Sequence, residues 1–281
     1  MVRVSADSTC DLSPELLSRY GVVIAPLYIV KDSESLRDGV EIRPQDIFDY
    51  VEKTGKLLKT AAVSVEDYID LFRRLTQDGS EVVHITISAE MSACYQNACL
   101  AAQEVPGVFP VDSRNLSTGM GLVVIEAAKR AQAGEDGAAI QKAMNELTPR
   151  VEASFVIERL DYLYKGGRCS ALAALGANLL HLKPCIEVRG GKMGVGRKYR
   201  GPYERVLRQY ADDRLHGRED IVRERAFITY TTCPEPALNA VRAVCREEGN
   251  FAELLETRAG CTISNHCGPN TLGVLFIRKD A

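Results

Sequence analysis

The sequence lacks tryptophan, long apolar runs and any excess of basic residues. No stretch approaches the roughly 18 consecutive apolar residues that a transmembrane helix needs. The formal net charge of −3 gives no electrostatic signature of binding to nucleic acid or to an anionic membrane. The opening segment MVRVSADSTCDL reaches Asp7 too early for a secretory signal. These absences predict a globular protein that stays in the cytoplasm and has no nucleic-acid partner.

The sequence also lacks closely paired cysteines. Its nine cysteines include no C-x-x-C pair and most lie among apolar residues, so we expect reduced thiols that pack in the interior. Cys261, His266 and Cys267 offer the ligands of half a zinc site, yet no second pair with ligand spacing exists elsewhere. We therefore expect no structural metal.

Strand-like and helix-like segments alternate through the first half of the chain. This alternation is typical of βαβ units and a mainly parallel sheet. The expected strands are residues 2–7, 21–30, 81–87 and 107–113, and the expected helices start at Ser13, Pro44 and Ser64 and span about 118–133 and 136–148. The helix after Ser64 has one apolar face, made by Tyr68, Leu71, Phe72 and Leu75.

The pattern changes after Pro149, where we place a domain boundary. Gly190 and Gly191 predict a hairpin between two strands, and Pro202 starts an amphipathic helix. Further strands are expected at 152–158, 226–231, 252–257 and 272–277, with a helix at about 236–247. This order predicts a mixed α/β second half.

Hydroxyl and carboxyl side chains follow three strands of the expected parallel sheet. They lie at residues 7–9, 88–92 and 112–113. Because ligands bind outside the carboxyl ends of parallel strands, we expect these segments to gather at one rim and to form a site.

Ser92 allows three interpretations at this rim: a nucleophile, an anion-binding hydroxyl or a helix cap. Its surroundings lack the G-x-S-x-G pattern of α/β hydrolases. Among the four histidines, only His266 is expected in a loop where it could serve as a base. The segment 194–201 has the glycines of a nucleotide-binding loop, but it follows a hairpin and does not open a helix.

Residues 160–188 form the most unusual segment. Gly166 and Gly167 are expected to end a short helix, directly before Arg168 and a helix that is small and apolar on most faces. Such a helix is either part of the core or a wall beside an apolar ligand, and the pattern leaves both open.

Seven segments, in order and over nearly the whole chain, resemble the DegV family of bacterial fatty-acid-binding proteins, which includes the FakB subunits of fatty-acid kinase. They are DSTCDL (7–12), KTAAVS (59–64), ISAEMSACYQNA (87–98), VDSRNLSTGMG (111–121), LYKGGR (163–168), LKPCIEVRGGKM (182–193) and HCGPNTLGV (266–274). The resemblance implies an α/β fold: an N-terminal three-layer α/β/α domain with a mainly parallel sheet (1–150) and a C-terminal two-layer α/β domain with a mixed sheet (151–281).

The resemblance also implies a function. A long-chain fatty acid such as palmitate would lie between the domains, with no cofactor, and a separate FakA-like kinase would convert it to an acyl phosphate. The chain itself would not be an enzyme, and brief contact with a membrane would allow lipid exchange. By motif position, Thr60 and Ser92 bind the carboxylate, His266 and Arg168 lie near the head group or support the cleft, and Arg200 faces the kinase.

The chain departs from the family pattern beside both hydroxyls. Residues 61–63 are Ala-Ala-Val where the family has Ser-Gln-Pro, and residues 93–94 are Ala-Cys where it has Gly-Thr. Because both hydroxyls remain, fatty-acid binding stays the implied function. Two alternatives stay open: a hydrolase or acyltransferase that uses Ser92 or Cys94 with His266, and a carrier of another apolar carboxylic acid.

Overall fold

The computed structural model describes residues 1–169 and 182–280 as three β-sheets with helices packed on them. The strands are β1 (Val2–Asp7), β2 (Val22–Ala25), β3 (Tyr28–Lys31), β4 (Glu34–Arg37), β5 (Lys59–Ala61), β6 (Glu81–Thr86), β7 (Val108–Asp112), β8 (Val151–Ile157), β9 (Leu182–Arg189), β10 (Lys192–Arg200), β11 (Ile221–Tyr230), β12 (Glu253–Arg258) and β13 (Thr271–Arg278). The helices are α1 (Pro14–Tyr20), α2 (Pro44–Thr54), α3 (Val65–Thr76), α4 (Cys94–Glu104), α5 (Ser117–Gln132), α6 (Gly137–Leu147), α7 (Leu160–Gly166), α8 (Tyr203–Leu215), α9 (Glu235–Val244) and α10 (Cys261–Cys267).

The first sheet has the strand order β2-β1-β6-β7, and every pairing in it is parallel. Helices α3 and α4 pack together and against β6, while α5 and α6 pack together and also contact this sheet. This confirms the three-layer α/β/α arrangement with a parallel sheet.

Local sequence signals place several helix starts correctly. Ser13 and Ser64 are the N-caps of α1 and α3, where each side-chain oxygen accepts a hydrogen bond from a backbone N–H in the first turn. The expected apolar face of α3 is confirmed, because all four of its members are buried: Tyr68, Leu71, Phe72 and Leu75.

A small antiparallel sheet with the order β4-β3-β5 was not expected from the sequence. The single strand predicted at 21–30 is wrong: β2 belongs to the parallel sheet, whereas β3 belongs to the small one. Pro26 lies between them and has no N–H for a sheet ladder, so the chain leaves one sheet there and enters the other. In the small sheet, Ile29 of β3 pairs with Thr60 of β5.

The third sheet has the order β10-β9-β8-β13-β11-β12 and is mixed, because only the β11–β12 pairing is parallel. The predicted glycine hairpin joins β9 and β10, and Gly190 and Gly191 both have positive φ angles, as a tight hairpin turn requires. One face of this sheet packs against α8 and α9 in a separate hydrophobic core.

Helix α5 lies between the parallel and mixed sheets. It contacts β1 and β6 on one side and β8, β11 and β13 on the other. Because both sides are covered, its residues from Ser117 to Ile125 are all buried, and the core around α5 is continuous between the two sheets.

All strands of the mixed sheet follow Pro149 in sequence. The boundary between residues 150 and 151 stays a prediction about domain organisation. Gly167 ends α7 in a left-handed conformation, as expected for a C-cap glycine. The apolar helix predicted after Arg168, including His181, lies outside the described residues.

Candidate functional site

The three polar segments predicted to share a rim do meet there. An Asp7 carboxylate oxygen accepts a hydrogen bond from the Ile87 N–H at 3.0 Å, and an Asp112 oxygen accepts one from the Ala89 N–H at 3.1 Å. These bonds tie the segment after β6 to the ends of β1 and β7. The rim therefore has the geometry expected for a parallel sheet.

A cavity beside this rim brings together Thr60, Ser92, Arg168 and His266. The space enclosed by these residues is about 540 Å³, a volume that includes the solvent at its opening. The other described residues that line it are mostly apolar: Leu27, Ala61, Ala62, Ile87, Met91, Leu116, Met193, Thr262, Ile263 and Cys267. The site thus combines a few polar groups with an apolar wall.

Thr60 and His266 form a hydrogen-bonded pair in the cavity wall. The Oγ1 atom of Thr60 lies 2.9 Å from Nε2 of His266, while the buried Nδ1 atom of His266 has no hydrogen-bond partner among residues 1–169 and 182–280. A buried N–H without an acceptor is costly, so we assign the proton to Nε2 and leave Nδ1 bare. His266 then donates to Thr60, and the Thr60 hydroxyl proton is available to a ligand.

The His266 ring is held neutral. Desolvation of the half-buried ring, and to a smaller extent the nearby Arg168 guanidinium, together lower the pKa of His266 to about 4. Arg168 is exposed at the cavity and donates a hydrogen bond to the Gly166 carbonyl at 2.7 Å. A Cβ atom at Gly166 would lie 2.5 Å from Nδ1 of His266, so glycine at this position makes room for the ring.

Ser92 presents a hydroxyl to the same cavity. Its Oγ atom accepts a hydrogen bond from the Cys94 N–H at 3.3 Å and donates one to the Cys94 sulfur at 3.2 Å. Ala93, and not Ser92, is the N-cap residue of α4. Ser92 therefore hydrogen-bonds the first turn of α4 from the position directly before the N-cap residue.

The geometry does not favour the hydrolase alternative. His266 hydrogen-bonds Thr60, and no hydrogen bond from His266 to Ser92 or Cys94 is found among the described residues. Cys94 is fully buried, and burial raises the pKa of its thiol to about 12, so the thiolate is disfavoured. Neither candidate nucleophile has a base in place.

Two aspartate side chains, which the sequence did not reveal as relevant, hold the helix that carries His266. Asp38 accepts hydrogen bonds from the N–H groups of Cys261 and Thr262 at 2.9 and 3.0 Å, and Asp11 accepts one from the Gly260 N–H at 2.8 Å. These bonds satisfy amides at the start of α10. His266 thus lies in a helix, whereas the sequence predicted a loop.

A second, almost entirely apolar cavity adjoins the first. The two share Leu116, Ile263 and Cys267 as lining residues. The described residues found only in the second cavity's lining come from α5, the mixed sheet and the segments beside it: Ser117, Ala153, Phe155, Thr229, Tyr230, Thr231, Ala259, Thr271, Gly273 and Leu275. The polar site therefore has apolar space next to it, beside the mixed sheet.

Two residues of interest lie outside the cavity lining. Arg200 is exposed at the end of β10. Ser88 is fully buried and donates a hydrogen bond to the Gly191 carbonyl at 2.7 Å, so it anchors the β9–β10 hairpin to the rim. No helix within residues 1–169 and 182–280 has the length and hydrophobicity to cross a membrane.

The sequence model of the DegV family matches residues 1–279. The chain belongs to the DegV family. Similar DegV structures include a fatty-acid-binding protein from Thermus thermophilus, at 29% identity, with 99% of each chain covered and a TM-score of 0.87. A stearic-acid-binding protein from Eubacterium ventriosum has 26% identity, 99% coverage of each chain and a TM-score of 0.85. A fatty acid-binding protein from Thermotoga maritima is 28% identical over 97% of this chain and 96% of its own.

Proposed function

We propose that this DegV-family chain binds one long-chain fatty acid, such as palmitate, with its carboxylate at Thr60 and Ser92. The observation that carries the proposal is the pair of hydroxyls in a mostly apolar cavity that shares Leu116, Ile263 and Cys267 with a second, apolar cavity. The fatty-acid-binding DegV relatives support it. In this role the chain performs no chemistry itself.

The residues around the proposed head group can stabilise a desolvated anion. A carboxylate only accepts hydrogen bonds, so its burial requires donors. The Thr60 proton is free because His266 supplies the donor to the Thr60 oxygen, and the Ser92 proton is shared with a sulfur atom, which is a weak acceptor. Arg168 adds a positive charge at the cavity.

The tail supplies most of the affinity in this proposal. Burial of a sixteen-carbon chain at about 0.8 kcal/mol per methylene contributes roughly 12 kcal/mol before the costs of binding. The two hydroxyls contribute about 1 kcal/mol each. Tail length should therefore set affinity, while the hydroxyls set orientation.

Extraction of the purified protein with organic solvent, followed by mass spectrometry, tests the ligand class. We expect a stoichiometric long-chain fatty acid, and delipidated protein should bind added hexadecanoic acid with an affinity that falls from sixteen carbons to ten. Recovery of a different apolar acid would support the alternative carrier function. No extracted lipid together with no binding would overturn the proposal.

Ser92→Ala distinguishes ligand binding from helix capping. If Ser92 binds the carboxylate, the variant loses about 1–2 kcal/mol of binding free energy and keeps its melting temperature. If Ser92 only stabilises the start of α4, the melting temperature falls with or without lipid, and the affinity is unchanged.

We further propose that the bound acid is presented to a separate fatty-acid kinase, with the site between domains 1–150 and 151–281. Arg200 is exposed, and Lys198 beside it adds a second exposed positive charge. Arg200→Ala should slow acyl-phosphate formation by the kinase and leave lipid affinity unchanged, whereas Arg73→Ala on α3 should change neither. Equal loss of binding and phosphorylation in Arg200→Ala would contradict a docking role.

A further inference from the structure

Ser88 lies at the start of the short segment that carries Ser92 and holds its backbone. The Ser88 N–H donates a hydrogen bond to the Asn115 carbonyl at 2.9 Å. The Ser88 carbonyl oxygen accepts the N–H groups of Met91 and Ser92 at 2.9 and 3.2 Å. The segment therefore turns around Ser88, and a movement of the Ser88 backbone would move Ser92 as well.

Packing of side chains contributes little to holding this segment in place. Ala89 and Glu90 are exposed, whereas Ser88 is 0% exposed. From the parallel sheet, the Asp112 carboxylate accepts the Ala89 N–H at 3.1 Å. Ser88 is thus the buried anchor of the segment, and its side-chain contacts bear on how firmly Ser92 is placed.

The side chain of Ser88 reaches the mixed sheet. Its Oγ atom donates to the Gly191 carbonyl at 2.7 Å and accepts the Glu90 N–H at 3.3 Å. Gly191 lies in the turn between β9 and β10 and has a φ of +85°. A Cβ atom at this position would lie 2.8 Å from the Ser88 Oγ atom, so the close approach requires glycine. The hairpin therefore contacts the Ser92 segment through a buried hydrogen bond.

An exposed ion pair also joins the hairpin to this segment. The Lys192 ammonium lies 3.3 Å from the Glu90 carboxylate, and the two side chains are 70% and 47% exposed. Ion pairs that are this exposed contribute little to stability. The buried bond between Ser88 and Gly191 is therefore the stronger of the two contacts.

We propose that Ser88 is a positioning residue that couples the β9–β10 hairpin to Ser92, and through Ser92 to the carboxylate of the ligand. Ser88 and Gly191 both lie outside the cavity lining, so they act on the ligand through Ser92. A perturbation of the hairpin turn should therefore alter recognition of the head group. This inference rests on the proposed binding of a fatty acid at Ser92.

A positioning effect on Ser92 has a characteristic dependence on tail length. The tail contributes in proportion to the number of methylenes that it buries, whereas the head group contributes the same amount for every acid. Displacement of Ser92 should therefore weaken binding of dodecanoic and hexadecanoic acid by the same factor. A deformed tail space would instead weaken binding of the longer acid more.

Calorimetric titration of both acids into delipidated full-length protein tests the inference. In Ser88→Ala we expect the Kd to rise roughly two- to fivefold for each acid, which is part of the loss expected when Ser92 itself is removed. In a Ser92→Ala background, Ser88→Ala should have little further effect, because the residue through which Ser88 acts is gone.

Ser154→Ala is the matched control for loss of a buried hydroxyl. Ser154 is also 0% exposed, hydrogen-bonds the Tyr210 hydroxyl at 2.9 Å and lies outside the linings of both cavities. Its removal should lower the melting temperature and leave both Kd values unchanged, because it has no connection to Ser92.

The two glycines of the hairpin test the coupling from its other end. Gly190→Ala and Gly191→Ala both place a side chain at a positive φ, of +58° and +85°. At Gly191 the new atom would press on the Ser88 Oγ atom, whereas at Gly190 it would lie 3.6 Å from the Arg114 guanidinium. We expect Gly191→Ala to raise the Kd of both acids by a similar factor, and Gly190→Ala and Lys192→Ala to leave it unchanged.

Unchanged affinity in either Ser88→Ala or Gly191→Ala would overturn the inference while fatty-acid binding stands. A loss that persists in the Ser92→Ala background, or that grows with tail length, would overturn it in the same way. Melting curves identify variants that do not fold, and if Ser88→Ala is one of them, Gly191→Ala decides the question. A wild-type protein that binds neither acid would overturn the proposed function and this inference together.

Discussion

Thr60 and His266 are 206 residues apart in sequence, yet Oγ1 of one lies 2.9 Å from Nε2 of the other. Thr60 lies on the small antiparallel sheet, and His266 lies on α10. The bond therefore joins two distant segments of the chain at the head of the cavity, and its loss should be measurable in both binding and folding.

Thr60→Val should weaken binding of hexadecanoic acid by about 1 kcal/mol, roughly fivefold in Kd, because it removes a donor and keeps the side-chain shape. The variant also leaves the Nε2–H of His266 without an acceptor, so its melting temperature should fall. Titration calorimetry and thermal unfolding measure the two effects. Thr60→Ser, which keeps the hydroxyl, is the matched control, and equal affinity in Thr60→Val and wild type would exclude Thr60 from the head-group site.

His266 should titrate at about pH 4 in the folded protein, because burial and Arg168 both lower its pKa. Arg168→Ala removes one of these causes and should shift the midpoint upward. NMR spectra of the imidazole Cε1–H measure the midpoint, over a pH range that extends from about two units below the expected value of about 4 to above the ordinary histidine value of about 6.5. A midpoint near the ordinary value of about 6.5 in the wild type would contradict a buried, neutral ring.

Much of the layer of helices around the parallel sheet was predictable, because helix caps and the apolar face of α3 can be read from short stretches of sequence. The small sheet was not predictable in the same way. Its β3 strand continues the apolar run that begins in β2, and its pairings with β4 and β5 show that it belongs to another sheet. Thr60 was thus identified by motif position, while the sheet that presents it was missed.

The placement of His266 illustrates a second limit. Residues 261–267 contain serine, threonine and asparagine, which are weak helix formers. A Gly-Pro pair follows them, and the sequence therefore predicts a loop around His266. It is helical because Asp38, which is 223 residues away from Cys261, accepts its first amide protons. Tertiary hydrogen bonds of this kind leave no periodic signal in the sequence.

Folding stability should depend on Asp11, since burial raises its pKa to about 8, against hydrogen bonds from Ser117 and Gly260 that lower it. The folded protein then keeps a proton that the unfolded chain loses at its ordinary value of 3.8. Between pH 4 and 8, stability from this group therefore falls as pH rises, by at most about 1.4 kcal/mol per pH unit.

Asp11→Asn should remove this dependence, because asparagine is a neutral group of the same shape. The stability of the wild type relative to Asp11→Asn should fall by about 1–2 kcal/mol between pH 6 and pH 8 and level off above pH 8. Urea unfolding of both proteins at several pH values measures the difference. A difference that is constant with pH would show that Asp11 is ionised throughout.

Ala259→Leu should shorten the acyl chain that the protein accepts. Ala259 is 3% exposed and lines the second cavity, so a larger side chain there fills the space in which we propose that the tail lies. We expect weaker binding of octadecanoic acid and little change for dodecanoic acid. A melting curve controls for overpacking, and parallel losses for both acids would place the tail elsewhere.

The bonds from Asp11 and Asp38 to the start of α10 also bear on when this protein can first hold a ligand in a cell. A nascent chain that has reached Pro149 already contains Thr60 and Ser92, but it lacks the imidazole that orients the Thr60 proton. The proposed carboxylate site is incomplete until α10 has been synthesised and its first N–H groups have hydrogen-bonded Asp11 and Asp38. If the chain binds a fatty acid as we propose, lipid can be loaded only late in synthesis, and a stalled or truncated chain should carry none.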